Sequence, residues 1–471
     1  MDLKQFQFTE HLIERFKNEN HIPVNFYNRF GQILIHKKEN ASVHEVNQLL
    51  KFRDTGIYYD QNDYDTLTGK NRISHTTLNT QRYIPKGLTD TKLFSQQTAD
   101  KLSRFTSDLF NRLKRESIDS VTARNIATML ADIFTDFSKQ PDAMTGLLNI
   151  LELMDASNDE YEVILAVKRT VISMALKTRG MLAINSEERN RLNDEITTVM
   201  IASLLSDIAF LKMDLPRDRK LTPQEYIKMK RHPLISYLMI ANEHALPHNV
   251  KHLVLFQHYR QKDKPNNYPD MFLIQSELKK RLSKISDTAL QLHALKTGAI
   301  YSHNANITGI ASKFSYLTTP APYRESYSAI EAVRAIINNA TFTYSNQAIR
   351  EFLDYSAISL CDNSEIIKSG DIIITETASF DGGKNYEICM VMESSRFQSR
   401  PVIKRFATLS PRIKTNPKTA FDDFNLLSIE PDKRHADIDL NRDNSRFIAY
   451  IIDSDHDPAL FKAATSLISR T

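Results

Sequence analysis

Histidine is absent from residue 76 to residue 231, and glycine is absent from 181 to 297. The first gap strips a long central stretch of the side chain that most often ligates transition metals and moves protons near neutral pH. The second, in a chain of 471 residues with only 11 glycines, points to long helices and few tight turns. Cys361 and Cys389 are the only cysteines. Two thiols exclude a disulfide framework and a cysteine-based zinc site, and they fit a reducing compartment. The start of the chain, Met1 to Phe6, has no basic stretch followed by an apolar one, so no signal peptide is expected. The longest apolar run, Val199 to Leu211, is broken by Ser203, Ser206 and Asp207 and is too short to span a bilayer. With 61 basic against 57 acidic residues the net charge is +4, which leaves no overall footprint for a nucleic acid polymer. The chain reads as cytoplasmic, soluble and without a membrane span.

The length is too great for one ordinary core, so two or three domains are expected. Residues 1–60 read as a small α/β domain. In it, Val24–Tyr27 and Gln32–Ile35 flank a turn ending at Gly31. A helix over Ser42–Leu50 follows, with Ser42 and Glu45 as a capping box, and then a short strand over Gly56–Tyr59. Residues 61–92 form a polar connector. Over 93–358 apolar residues recur at helical spacing, as in Leu102, Phe105, Leu109 and Leu113, then Ala127, Leu130, Ile133 and Phe137. Over 361–471 the period changes to β-rich runs, Asp371–Thr375, Glu387–Met392, Pro401–Phe406 and Phe447–Ile452, with a terminal helix from Pro458.

Asp207 is the most informative single residue. Nearly all its neighbours are apolar, so part of its turn must be buried, and a buried carboxylate needs a pairing group, hydrogen bonds or a cation. Isolated acids in apolar helices are usually satisfied structurally, and the expected partner is a basic or hydroxyl group, with Arg281 or Lys284 from across the bundle within reach.

Around it lie several motifs in register: Leu204-Leu205-Ser206-Asp207-Ile208-Ala209-Phe210, then Leu221-Thr222-Pro223-Gln224-Glu225, His232-Pro233, Gln257-His258-Tyr259, Asn267-Tyr268-Pro269, Asp287, and Pro322-Tyr323-Arg324 with Ala329–Val333. Over roughly 125–358 this series resembles the HD-GYP family of metal-dependent cyclic di-GMP phosphodiesterases, with an insertion near 291–316. The resemblance implies an HD-domain-like helical bundle and a binuclear metal site. Its departures are chemical. Ser206 stands where the family has the histidine of the His-Asp pair, Ala209 where it has glycine, Phe210 where it has lysine, and Gln257 where it has the first histidine of a pair. The early ligand histidine would fall at or near Leu165. Pro265 occupies the loop that is glycine-rich in the family, which puts the family's docking contacts in doubt.

Of the implied ligand set, Asp207, His232, His258 and Asp287 remain. Two histidines and two carboxylates are a chemically reasonable set for one Fe, Mn or Zn ion; three lost ligands make no cofactor the expectation. Lys212, Tyr268 and Arg324 are the residues the resemblance offers for substrate phosphate and base. His244, His248 and His252, at four-residue spacing, read as a solvated helix face, since no zincin motif accompanies them. Basic runs at Arg217–Lys220 and Lys228–Arg231 read as charged helix surface.

The expected architecture is therefore mainly α, an HD-domain-like bundle between a small α/β N-terminal domain and a β-rich C-terminal one. The expected function is that of a pseudo-phosphodiesterase, not an enzyme. It acts by binding a protein partner or a cyclic dinucleotide, cyclic di-GMP included, in bacterial signalling. The competing readings are a divergent cyclic di-GMP phosphodiesterase with a reduced metal site and a structural subunit of a bacterial assembly.

Overall fold

The computed structural model describes residues 3–6, 13, 16–17, 22–28, 33–38, 41–42, 46, 49, 56–60, 86–138, 150–155, 157, 159–178, 186–216, 218–260, 267–321, 323–339, 343–361, 365–378, 384–395, 397–411, 427–432, 437–455 and 457–469. The side chains of 86–95, 186–191, 355–359, 410–411 and 427–428 are outside that description. Two compact units result, Met1–Phe94 and Ser95–Thr471.

In the first unit, β1 (Leu3–Gln5), β2 (Phe26–Tyr27), β3 (Ile33–Ile35) and β4 (Tyr58–Asp60) form an antiparallel sheet in the order β1-β4-β2-β3. The expected hairpin is present as β2 paired with β3. Phe6, Phe16, Phe26, Leu49 and Ile57 fill its core. Gly56 has φ +75, where a side chain is strained, and a Cβ there would press on Gln5. The amide of Val46 bonds the carbonyl of Ser42 at 3.1 Å, as the first turn of a helix requires. Gly31, Glu45 and residues 61–85 of the connector lie outside the described residues; residues 86–92, expected to continue that connector, are helical instead.

The helical spacing becomes α1 (Lys86–Leu113), which belongs to the second unit from Ser95 onward, and then, within that unit, α2 (Ser120–Ser138), α3 (Tyr161–Thr178), α4 (Ser186–Leu205), α5 (Pro223–Met229), α6 (His232–Ile240), α7 (His248–Phe256), α8 (Met271–Arg281), α9 (Asp287–Thr297), α10 (His303–Thr318), α11 (Ala329–Asn338) and α12 (Asn346–Ser359). The stripe Leu102, Leu109, Leu113 is buried, as are Leu130, Ile133 and Phe137 on α2. The centre of the bundle is α3 against α4 and α10, with α7 against α4. Val167, Val171 and Met174 of α3 meet a core that includes Val199, Ala202 and Leu205 of α4. Burial of such side chains contributes roughly 1.5–3 kcal/mol each.

The β-rich runs become β5 (Ile372–Ala378), β6 (Lys384–Glu393), β7 (Val402–Pro411), β8 (Leu427–Pro431), β9 (Asp437–Asp439) and β10 (Phe447–Ile452), followed by α13 (Pro458–Ile468). They form one antiparallel sheet, order β10-β5-β6-β7-β8, with β9 paired to β7. Its core joins Ile372, Ile374 and Ile388 to Leu460 and Ala464 of α13. The change of period near 360 does not separate compact units. The Asn338 side chain on α11 both donates to and accepts from the backbone of Ile451, and Arg334 pairs with Asp371 at 2.6 Å. Helices and sheet thus belong to one unit. The chain is helical for the most part, with two antiparallel sheets, and among the described residues no helix is long and apolar enough to cross a membrane.

Candidate ligand-binding cavity

Helix α4 ends at Leu205, and Asp207 precedes a single 3-10 turn over Ile208–Leu211. That break turns the carboxylate out of the apolar packing, and its side chain is 26% exposed toward a cavity of about 590 Å³. Ser206, beside it, stays buried and bonds its own helix through the carbonyl of Ala202.

The group that neutralises Asp207 comes from α3. Arg169 is 3% exposed and lies in the apolar run Val163–Ala175. Its Nη1 donates to Asp207 Oδ2, and its Nε donates to the Ser203 carbonyl at 2.5 Å. Burial raises the Asp207 carboxyl, but the Arg169 guanidinium and then His232 outweigh it and hold the group far below the usual carboxylate range. The expectation of a basic partner holds in kind. The partner is not Arg281, which pairs with Glu277, nor Lys284, which is exposed.

His232, at the start of α6, donates from Nδ1 to the Met229 carbonyl at 2.8 Å, and its Nε2 lies 3.2 Å from Asp207 Oδ1. Phe210 stacks on its ring at 4.7 Å. His258 Nε2 is 3.2 Å from His232 Nε2, and the Tyr268 ring stacks on His258 at 3.9 Å. Arg260 Nη2 donates to His258 Nδ1 at 3.1 Å. With Nδ1 accepting from Arg260, a neutral His258 carries its proton on Nε2, the nitrogen that faces His232. Burial, then Arg260 and His232, push His258 well below the ordinary imidazole range, so the ring is neutral.

These contacts test the metal that the family resemblance implies. A ligating His258 would have to turn a bare Nε2 toward the ion, and Arg260 forces a proton onto it. Asp207 already faces a guanidinium, and a cation set between Arg169 and Arg260 would meet two fixed positive charges. Asp287 is engaged elsewhere: at the first turn of α9 it is 5% exposed, accepting from Tyr237 Oη at 3.0 Å, from Gln291 Nε2 at 3.0 Å and from His248 Nδ1 at 2.8 Å. Burial raises Asp287, and those three bonds bring it below the usual range. The residues present do not fit the metal centre.

Of the residues expected from sequence, the structure brings together Asp207, His232, His258 and Tyr268, all lining the cavity. It sets Asp287 in a separate polar seam between α7 and α9, which also contains His252, bonded through Nδ1 to Gln291 at 3.0 Å. His248 and His252 are therefore inter-helix anchors, which corrects the reading of a solvated face. Lys212 is exposed and does not line the cavity. Arg324 does not line the cavity either. Its guanidinium donates to the carbonyls of Tyr316, Leu317, Thr319 and Glu325, satisfying acceptors left open where α10 ends. Pro265 and Pro322 lie outside the described residues.

Sequence reasoning missed Arg169, Arg260 and Lys313. Arg169 carried a usable signal, a charge inside an apolar helical run, which is the same argument that singled out Asp207. Lys313 lies in what the resemblance treats as an insertion, and that segment, α10, supplies one wall of the cavity. The lining also includes Tyr226, Met229 and Lys230 around α5. This helix is set by a capping box: Thr222 and Glu225 bond each other's backbone amides, and Arg219 grips the Glu225 carboxylate at 2.8 and 2.9 Å. In all, the cavity presents five basic side chains against two carboxylates, one of them Asp207, and has six tyrosines in its lining.

No protein-family model matches the chain, and no curated protein matches it. Among solved structures the chain is similar to Bd1817, described as a HDG"Y"P protein from Bdellovibrio bacteriovorus. The identity is 10% and the TM-score 0.39, over 74% of this chain and 98% of that one. A TM-score at that level does not establish a common fold.

Proposed function

We propose that this protein is a non-hydrolytic ligand-binding module on a degenerate HD-GYP-like frame, and that its cavity takes a cyclic dinucleotide such as cyclic di-GMP without cleaving it. One observation carries the reading: the Arg169 guanidinium is bonded to Asp207, so the carboxylate that the family would give to a metal is neutralised by a side chain of the protein itself. Two-metal hydrolysis needs a metal-bound hydroxide and cations over both the attacking and leaving oxygens. Fixed guanidinium groups supply attraction for phosphate but no activated water. The cavity's volume falls in the range of small-molecule sites, and its basic and aromatic lining suits phosphates and purine rings together.

The test is calorimetric titration of the full chain with cyclic di-GMP in metal-free buffer, followed by chromatography of the nucleotide after incubation with Mn or Fe. Saturable binding with the nucleotide recovered intact is expected. Turnover that disappears in Asp207→Asn would overturn the reading and establish the reduced-metal enzyme.

A further inference from the structure

We infer that Arg260 and Lys313 together form an anion subsite in this cavity, which takes a phosphate group of a nucleotide-class ligand. The inference rests on the cavity being a ligand site, as proposed above, and adds where the phosphate is held.

Gly309, Ser312, Lys313 and Tyr316 recur at i, i+3, i+4 and i+7 on α10 and so share one face. Ser312, Lys313 and Tyr316 line the cavity. Gly309 opens a cradle in that face: a Cβ there would stand 2.0 Å from Arg260 Nε and 2.6 Å from its Cζ. The guanidinium therefore lies directly on the helix backbone, and no other residue leaves room for it. Its other side is covered by the Tyr344 ring, with Cζ 4.8 Å from the ring centroid, and Tyr344 Oη donates back to the Gly309 carbonyl at 3.2 Å. Nε donates to the Gln257 carbonyl and Nη2 to His258, each at 3.1 Å. Among the described residues, no carboxylate pairs with Arg260.

Lys313 is half-buried on the same wall. Among the described residues its ammonium has neither a hydrogen bond nor an ion pair, only the Tyr316 ring at 5.6 Å. Burial lowers its ammonium, and repulsion from Arg260 and then Arg324 lowers it further. Of the cavity's two carboxylates, Asp207 is engaged by Arg169. Two partly desolvated cations that repel each other, fixed at the edge of a cavity, are an unfavourable arrangement that an anion between them relieves. A planar guanidinium held rigid by stacking matches phosphate oxygens, and an ammonium adds a point charge. The tyrosines alongside suit the base that such a phosphate carries.

The test titrates the full chain with three probes, cyclic di-GMP, inorganic pyrophosphate and uncharged guanosine, for wild type, Lys313→Gln and Gly309→Ala. Cyclic di-GMP and pyrophosphate are expected to bind in a salt-sensitive way. Lys313→Gln should weaken both at least tenfold and flatten the salt dependence, with melting unchanged. Gly309→Ala should do the same by displacing Arg260; if that variant does not fold, Lys313→Gln alone decides. Cyclic di-GMP affinity within twofold of wild type in Lys313→Gln overturns the subsite and leaves the proposed function standing. Pyrophosphate binding that depends on Lys313, with no binding of cyclic di-GMP, keeps the subsite and overturns the proposed function. A wild-type chain that binds neither anion overturns the subsite.

Discussion

Gln257 donates from Nε2 to the carbonyl oxygen of Ser206 at 3.0 Å, and both residues are buried. These are two of the positions at which the resembling family has ligand histidines. In this chain they tie the start of the 3-10 turn to the end of α7. The local chemistry holds the backbone in place.

Replacing either residue by histidine should therefore not restore hydrolysis. Ser206→His must fit an imidazole into a fully packed site, and Gln257→His removes a buried donor. Leaving a buried carbonyl unsatisfied costs about 1–3 kcal/mol. The expected outcome is a lower urea midpoint for both variants and intact cyclic di-GMP under Mn or Fe. Product formation by the double variant would show that the site is closer to catalysis than its hydrogen bonds indicate.

The Arg169–Asp207 pair should be strongly asymmetric to mutation. Asp207→Ala leaves a buried guanidinium without its carboxylate, at a cost of about 3–5 kcal/mol. Arg169→Met in the same chain removes the orphaned charge and should recover most of that loss. Equilibrium denaturation of the two single variants and the double variant measures the coupling, and additive effects would mean that the pair contributes nothing. The pH dependence has a definite sign. The folded carboxyl sits below its unfolded value near 4, so its stabilisation is complete above that value and is lost as pH falls through the folded one. Between pH 5 and 8 this group should leave stability flat.

Metal analysis gives an independent check. Protein purified without added metal should carry far less than one equivalent of Fe, Mn or Zn, and chelator should not change its melting temperature. A stoichiometric ion lost in both His232→Ala and His258→Ala would mean that the two guanidinium groups move aside to admit it.

The wall formed by α5 should loosen in acid. Arg219 and the Thr222 amide pull the Glu225 carboxyl down to about 2. Its contribution to the cap is thus complete above the unfolded value near 4.3 and disappears as pH falls through about 2. Protection factors for the amides of 223–229, corrected for intrinsic exchange, should fall over that interval. Glu225→Gln should show the lower protection already at pH 7 and bind ligand severalfold more weakly. Unchanged protection in Glu225→Gln would assign the helix's order to packing alone.

Much of the fold was legible along the chain because its signals are local. A period near 3.6 through Leu102, Leu109 and Leu113 marks a helix whatever it packs against. The run Glu387–Met392 marks a strand in the same way, and Pro458 marks a helix start. The strands Leu427–Pro431 and Asp437–Asp439 were missed. Both are short and polar, and they exist through their ladders to β7. The absence of histidine from 76 to 231 was legible too, and that stretch cannot supply histidine ligands wherever it folds.

The sequence by itself determined that Asp207 is a carboxylate among apolar residues and must find a partner, because the cost of burying a charge depends only on its surroundings being apolar. Which partner it found was decided by the tertiary structure. Arg169 is 38 residues away and reaches Asp207 only because α3 packs on α4. In the same way Asp287 was drawn to Tyr237, His248 and Gln291, and Arg260 came to rest on a glycine of α10. Charge pairing acts over a few ångströms in space and is indifferent to separation along the chain, so spacing identified the groups that needed partners and packing alone assigned them.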